Sequence, residues 1–97
     1  MSYARLTLLN LGPDNRSLGE TIADRFAPLI REQKGFQQVS FFSDVEAGEY
    51  GSLTLWESRE DAEAAYAASI PQLQQMLEGM LKGPPVIKQY EVYEPKV

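Results

Sequence analysis

The chain has 97 residues and a net charge of −5, so it is long enough for one domain, residues 1–97, and its surface repels the phosphate groups of nucleic acids and anionic membranes. It contains no cysteine and no histidine, which excludes disulfides, thiolate chemistry and the commonest metal ligand, and we expect no bound metal, haem or other cofactor. No apolar stretch approaches the roughly 20 residues of a membrane helix, and in the absence of a signal-peptide pattern we expect a cytoplasmic location.

The first elements predicted along the chain are a strand and a helix. The Leu-rich stretch over residues 3–11 is typical of a strand and is followed by turn residues. Ser17 and Glu20 have the spacing of a capping box, which predicts the start of a helix. Pro28 lies inside this helix and predicts a bend, and Gly35 is expected to end it.

A hairpin and a second helical region come next. Strands are predicted over residues 36–44 and 50–56, joined by a short turn that contains glycine. Ser58 lies in a near-match to a capping box and predicts a helix just after the second of these strands. Ser69, followed by Pro71, has the pattern of a second helix start, so two helical segments are expected here.

The last predicted element is a strand over residues 86–93, after a stop at Gly83 and two prolines. The element order is therefore βαββαβ, which predicts an α+β, ferredoxin-like fold with a four-stranded antiparallel sheet and helices on one face. Right-handed crossovers then place the first and third strands in the middle of the sheet.

One face of this sheet is expected to have no helix over it. Alternation along the third strand points Ser52, Thr54 and Trp56 to the same side, and we expect that side to be the helix-free face. Depending on register, the second strand adds Phe36 and Phe42 or Val39 and Phe41 to it. Such a face is too apolar to be left in water. It predicts cover by a second copy of the chain, a ligand pocket, or both.

The stretch "KGFQQVSFFSDVEAGEYGSLTLWESREDAEAA" resembles the antibiotic-biosynthesis-monooxygenase-like (ABM) domain of the dimeric α/β-barrel superfamily. The shared features are a Gly-Phe pair that opens the second strand, the hairpin, and a third strand ending in "LW-x-S-x-E-D-A". The resemblance implies a homodimer whose two sheets pack face to face, with a pocket between the sheet and the helices of each protomer. It also implies a small-molecule ligand, because members include oxygenases and haem-degrading proteins.

The resemblance and the chemistry of the side chains together give five candidate site residues. Asn10 and Tyr66 are the candidates for catalysis: Asn10 as a polar pocket group, and Tyr66 as a phenol that donates to a substrate oxygen. Trp56, Ser52 and Thr54 are the candidates for substrate binding. Each has a structural alternative. Asn10 could bond the adjacent turn, Trp56 could anchor the core or an interface, and Tyr66 could be an ordinary core tyrosine.

Arg5 is a basic residue in the otherwise apolar first strand. It could meet an acidic substrate, and it could instead pair with a carboxylate across the sheet.

The pattern of small side chains predicts where a ligand would lie. Alanines in the second helix leave space above the sheet, so we expect a mainly apolar cavity walled in part by Asn10, Trp56 and Tyr66. The opposing expectation is that phenylalanines fill that space; the candidates are Phe26, Phe36 and Phe42.

Beside the hypothesis of a degenerate family member that keeps only the dimer, two functions remain open at this point. One is a cofactor-independent monooxygenase-like activity on a small aromatic or quinone-like compound. The other is a non-catalytic dimeric module that binds a small apolar or aromatic molecule.

Overall fold

The computed structural model describes residues 2–96. Six elements follow one another in the predicted order. They are β1 (Tyr3–Asn10), α1 (Arg16–Arg31), β2 (Phe36–Asp44), β3 (Glu49–Trp56), α2 (Arg59–Leu77) and β4 (Val86–Glu91). The βαββαβ order of a ferredoxin-like α+β fold is therefore confirmed. No helix in residues 2–96 combines the length and the apolar character needed to cross a lipid bilayer.

The four strands form one antiparallel sheet in the order β2-β3-β1-β4, so β1 and β3 are central as predicted. In the pairing of β1 with β3, Arg5 lies opposite Thr54 and Leu9 lies opposite Tyr50. Directly paired residues share a face of an antiparallel sheet. These four side chains therefore belong to one surface.

The helices cover this surface. The sequence-based expectation that Ser52, Thr54 and Trp56 lie on the helix-free face is therefore wrong. Tyr50, Thr54 and Trp56 are buried, and Trp56 packs in a cluster with Ala62 and Ala65 of α2. Alternation correctly grouped Ser52, Thr54 and Trp56, but this group points towards the helices. The helix-free face instead carries the other set of β3, which includes Leu53 and Leu55.

Helix α1 begins at Arg16, and the predicted capping box is wrong. Asn15 is the N-cap residue, and its backbone N–H donates to the Tyr50 hydroxyl at 2.9 Å. Gly19 then lets the helix approach the sheet, because a Cβ atom there would lie 2.5 Å from the Tyr50 ring. The start is therefore set by contact with β3, and Ser17 lies within the first turn.

Helix α1 also ends before the predicted glycine. It stops at Arg31, and Pro28 lies inside it with its carbonyl accepting from the N–H of Glu32 at 3.3 Å. Gly35 has a φ of +82° but stands directly before β2, where it turns the chain into the strand.

Helix α2 begins as predicted and continues further than predicted. The Ser58 side chain caps it by accepting from the N–H of Asp61 at 3.1 Å. The second start expected at Ser69 is wrong, since one helix runs through Pro71 and the Ser69 hydroxyl donates to the Ala65 carbonyl at 2.9 Å. A proline removes only one backbone hydrogen bond, and here the helix continues past it.

The end of α2 and the last strand are both shorter than predicted. Helix α2 stops at Leu77, close to Gly79, whose φ of +77° suits a helix end, rather than at Gly83. Strand β4 stops at Glu91, two residues before the predicted limit.

Candidate functional site

A cavity of about 300 Å³ lies between the two helices and the helix-covered face of the sheet. Most of its wall is apolar. Wall residues from the sheet and both helices include Leu9, Leu11, Ile22, Phe26, Trp56 and Ala65. This volume is at the lower end of the roughly 300–1,000 Å³ typical of ligand pockets, so it suits a molecule of one or two rings.

Small side chains of α2 create this space. Ala62 and Ala65 are 1% and 4% exposed, and they pack beside Trp56 where longer side chains would fill the volume. The phenylalanines leave the cavity open. Phe36 packs edge-on against Trp56, with ring centroids 5.8 Å apart and planes at 78°, and Phe26 forms part of the wall. Phe42 borders the cavity, but it pairs with Gly51 and its side chain lies on the helix-free face.

The exposed members of the wall mark the opening of the cavity. Arg16 and Glu20 come from the first turns of α1, and Phe41 and Ser43 come from the facing strand β2. All four are exposed, and Phe41 is 39% exposed. The cavity therefore opens between α1 and β2, and its deep end lies towards Trp56.

Trp56 forms a fixed part of the deep wall. Its side chain is 3% exposed, and its indole N–H donates to the Thr54 hydroxyl at 2.9 Å. The Thr54 hydroxyl in turn lies 3.5 Å from the Arg5 carbonyl oxygen, to which it donates. These bonds hold the ring in place and use the polar groups of both residues, so the ring face is what Trp56 offers to a ligand.

Ser52 and Thr7 supply hydroxyl groups that are not committed in this way. They face each other across β3 and β1, and both line the cavity. Neither side chain has a hydrogen bond to another residue in the described range 2–96. They are therefore the polar contacts most readily available to a bound molecule.

Tyr66 and Arg5 lie together in the cavity wall. The guanidinium carbon of Arg5 is 4.0 Å from the centroid of the Tyr66 ring, a cation–π arrangement. Tyr66 is partly buried, as α2 turns this residue towards the sheet.

The charge of Arg5 has no ionic partner within residues 2–96. The side chain is 6% exposed, its Nη2 donates to the Ala62 carbonyl at a long 3.5 Å, and its Nε and Nη1 have no partner there. The ion pair found in the described chain joins Arg59 and Glu63 on the surface of α2. The expected carboxylate across the sheet is therefore absent from this part of the chain, and burial lowers the pKa of Arg5 against the opposing influence of Tyr66 and Glu63.

Asn10 lies outside the cavity wall, which corrects its predicted position. Its side chain is exposed, and its Oδ1 accepts from the Gly12 backbone N–H at 3.1 Å. Such a bond two residues ahead is an Asx turn that closes the end of a strand. The structural alternative considered for Asn10 is the one observed.

Residues 2–96 contain no group of three or more acidic side chains placed to hold a metal ion. The polar residues that the sheet and α2 bring to the cavity include Arg5, Tyr66, Thr7 and Ser52. The sequence marks Arg5 as an unusual residue but does not place it in the site. The available signal was its position, a cation alternating with leucines in a central strand.

The sequence matches no family model and no curated protein. Its structure, however, is similar to several solved structures. A Nitrosomonas europaea protein, provisionally described as an antibiotic biosynthesis monooxygenase, matches with a TM-score of 0.82 and 11% identity over 97% of this chain and 92% of that chain. A cofactor-independent oxygenase from Streptomyces nogalater, SnoaB, matches with a TM-score of 0.78 and 12% identity over 98% of this chain and 96% of that chain.

A third match is the monooxygenase from the gene ActVA-Orf6 of Streptomyces coelicolor, solved in complex with nanaomycin D. Its TM-score is 0.77, with 14% identity over 99% of this chain and 91% of that chain. Identities this low carry information on the fold alone. The chain therefore has the fold of antibiotic-biosynthesis-monooxygenase-like proteins, as the resemblance in its sequence implied.

Proposed function

We propose that this protein binds a small hydroxylated aromatic or quinone-like compound in the cavity and oxidises it with molecular oxygen, without a bound cofactor. The observation that carries the proposal is a cation, Arg5, and a phenol, Tyr66, set together in the wall of a mainly apolar cavity. A cavity of this kind binds a ring by apolar contact and stabilises negative charge that develops on its oxygen.

The proposed reaction uses the reactivity of the substrate itself. A phenol that has lost its proton passes electrons to O₂, and a C–O bond forms at the ring carbon opposite the phenolate. The resulting hydroperoxide loses water as the hydrogen on that carbon leaves as a proton. The balance is one phenol plus one O₂ to one quinone plus one water, so no external reductant is needed.

The described residues have separate parts in this proposal. Arg5 and Tyr66 favour the phenolate, because positive charge and a donor hydroxyl stabilise a buried anion more strongly than they do in water. Ser52 hydrogen-bonds a second oxygen of the ring, and Trp56 provides a flat wall for stacking. Thr54 positions Trp56, because its hydroxyl accepts a hydrogen bond from the indole N–H.

The alternative function is a binding module without catalysis. The observation that favours it is the position of Asn10, one of the two predicted catalytic residues, whose amide bonds Gly12 and does not line the cavity. The polar set that remains can bind and orient a ring. The experiment that separates the two functions therefore has to measure binding and turnover independently.

The test is oxygen uptake by the purified protein with a panel of hydroxylated naphthalenes, in the presence of a metal chelator. We expect uptake above the rate without protein, and release of the corresponding quinone. Tyr66→Phe should lower the turnover rate by about tenfold or more, since it removes one donor to the anion. Tyr93→Phe is the matched control, because Tyr93 is 71% exposed and lies outside the cavity, and it should keep the rate.

A different result would favour the binding module. If members of the panel raise the melting temperature but no oxygen is consumed above the blank, the oxygenase proposal is wrong and the cavity binds without reacting.

We also propose that the protein is a homodimer, with the helix-free face of the sheet as its interface. This face carries apolar side chains from β1, β2, β3 and β4, namely Leu6, Leu8, Phe42, Leu53, Leu55 and Val86. Phe42, Leu53 and Val86 are 43%, 37% and 42% exposed, which is unusual for neighbouring large apolar residues on a monomer. A second copy, with β4 and the residues after it reaching towards the partner, covers such a face.

A further inference from the structure

The guanidinium group of Arg5 has donors that the described chain does not use. A guanidinium carries five N–H donors, and the Ala62 carbonyl accepts from one of them, on Nη2. The N–H groups on Nε and Nη1 have no partner among residues 2–96. A guanidinium has two edges at which two N–H groups point in the same direction. The single Ala62 carbonyl uses at most one of these edges, so the pair of N–H groups on the other edge remains free.

Burial makes the missing partner significant. Arg5 is only 6% exposed. A buried cation without an anion is unfavourable unless another group compensates its charge. The ring of Tyr66 at 4.0 Å compensates part of the charge on one face of the guanidinium. It offers no acceptor in the plane of the group, where hydrogen bonds form.

We propose that Arg5 binds a carboxylate and that the natural ligand of this cavity is an aromatic acid. The inference rests on the proposed function in taking the cavity as the ligand site, and it adds the substrate class. With such a substrate Arg5 binds the carboxylate, and the Tyr66 hydroxyl remains the donor to the phenolate. A carboxylate accepts two parallel N–H bonds from one edge of a guanidinium, which is the pair that Arg5 has free. It also carries its charge at neutral pH before any reaction, whereas a phenol arrives uncharged and leaves the buried cation without a partner.

The rest of the cavity fits the rest of such a ligand. Beyond Arg5 and Tyr66, the wall is apolar towards Leu9, Ile22 and Phe26, and the volume of about 300 Å³ admits one or two rings. Nε and Nη1 are themselves buried, so the proposal requires the guanidinium to turn its free edge into the cavity that Arg5 lines. One long hydrogen bond and the Tyr66 ring are the contacts that this turn would have to change. Arg16 and Glu20 lie at the opening and carry opposite charges. The positive charge inside the cavity therefore comes from Arg5.

The experiment compares 2-naphthoate with 2-naphthamide, two probes of the same shape that differ in charge. Trp56 is the sole tryptophan of the chain and lines the cavity, so its fluorescence reports binding directly, with calorimetry as the second measurement. The unaltered protein should bind the acid at least about tenfold more tightly than the amide, a difference typical of a good charge-assisted contact.

Two variants then assign the preference to Arg5. Arg5→Met should remove the preference for the acid, and Arg5→Lys should restore part of it, since lysine keeps the charge without the paired donors. Arg25→Met is the matched control, because Arg25 is an exposed arginine of α1 outside the cavity wall, and it should keep the full preference.

Equal affinity for acid and amide in the unaltered protein overturns the inference, as does an undiminished preference in Arg5→Met or the failure of both probes to bind. The comparison in the unaltered protein needs no variant to fold. The proposed function fails separately: acid binding without oxygen uptake by a dihydroxynaphthoate supports the role of Arg5 and rejects the oxygenase. Conversely, oxygen uptake with uncharged naphthols by a protein that binds the acid and the amide equally keeps the oxygenase and rejects the acid substrate.

Discussion

Arg5 is a positive charge held where charges are costly. Its neighbours in the chain are apolar, its side chain is buried, and the Tyr66 ring and one carbonyl are what the described chain provides in compensation. Residues placed for a ligand are often strained or incompletely satisfied without it, because the interactions that the ligand completes are missing. Arg5 has this property, whereas the polar atoms of Trp56 and Thr54 are satisfied within the protein.

A stability measurement follows from this imbalance. Replacing Arg5 by methionine removes an unpaired buried charge and keeps a long apolar side chain against Tyr66. We expect Arg5→Met to leave the free energy of unfolding unchanged or to raise it by about 1–3 kcal/mol in the absence of ligand. Urea unfolding of the two proteins measures the difference.

The control for this measurement is Arg25→Met, which should change the free energy of unfolding by less than about 0.5 kcal/mol, as is usual for an exposed side chain. A loss of more than about 2 kcal/mol in Arg5→Met would show that the guanidinium is already satisfied in the free protein. The argument for an external anion would then lose its basis.

Individual side chains were the hardest level to predict from the sequence. The family resemblance and its position near a strand end place Asn10 in the cavity, but an asparagine there suits an Asx turn equally well, and the structure shows the turn. The unpartnered state of Arg5 depends on which residues surround it in three dimensions. No local pattern contains that information.

Among the elements, α2 does most to shape the cavity. Its alanines bring the helix close to β3 while leaving volume beside Trp56, and its Tyr66 places a phenol over Arg5. The predicted start at Ser58 was correct because the capping bond is local in the sequence. The predicted restart at Ser69 was wrong because packing along the sheet favours a continuous helix at the cost of one backbone bond at Pro71.

Ala65→Leu tests whether the space below α2 is the ligand site. Ala65 is 4% exposed and lines the cavity, so a leucine there adds three carbon atoms to a space that is otherwise open. We expect near-normal stability and a loss of naphthoate binding, measured by urea unfolding and Trp56 fluorescence. Ala64→Leu is the matched control on the exposed side of the same helix, and it should keep binding.

Two results with Ala65→Leu would contradict the cavity as the ligand site. If the site is already close-packed, the leucine should cost about 1–3 kcal/mol of unfolding free energy through overpacking. Retained binding in Ala65→Leu would place the ligand elsewhere.

At the scale of the whole molecule, the sheet separates two surfaces of different character. The helix-covered surface holds the cavity, while the helix-free surface presents large apolar side chains to solvent. The strand order followed from the element order, because short antiparallel links and right-handed crossovers leave few arrangements. The choice of face did not follow, because a period of two divides the residues of β3 into two sets without indicating which set the helices cover.

The last prediction concerns the assembly of the molecule. We expect a two-fold homodimer at micromolar concentration, formed through the helix-free face and burying more than about 1,000 Å² in total, the approximate threshold for a specific interface. Leu53→Glu places a charge in the centre of that face and should give a monomer by sedimentation equilibrium, because an unpaired charge is not tolerated in an apolar interface. Ala64→Glu introduces the same charge on the exposed side of α2 and should remain a dimer. A monomeric unaltered protein would reject the assembly while leaving the cavity proposal intact, since Leu53 lies on the opposite face of the sheet from Arg5 and Thr54.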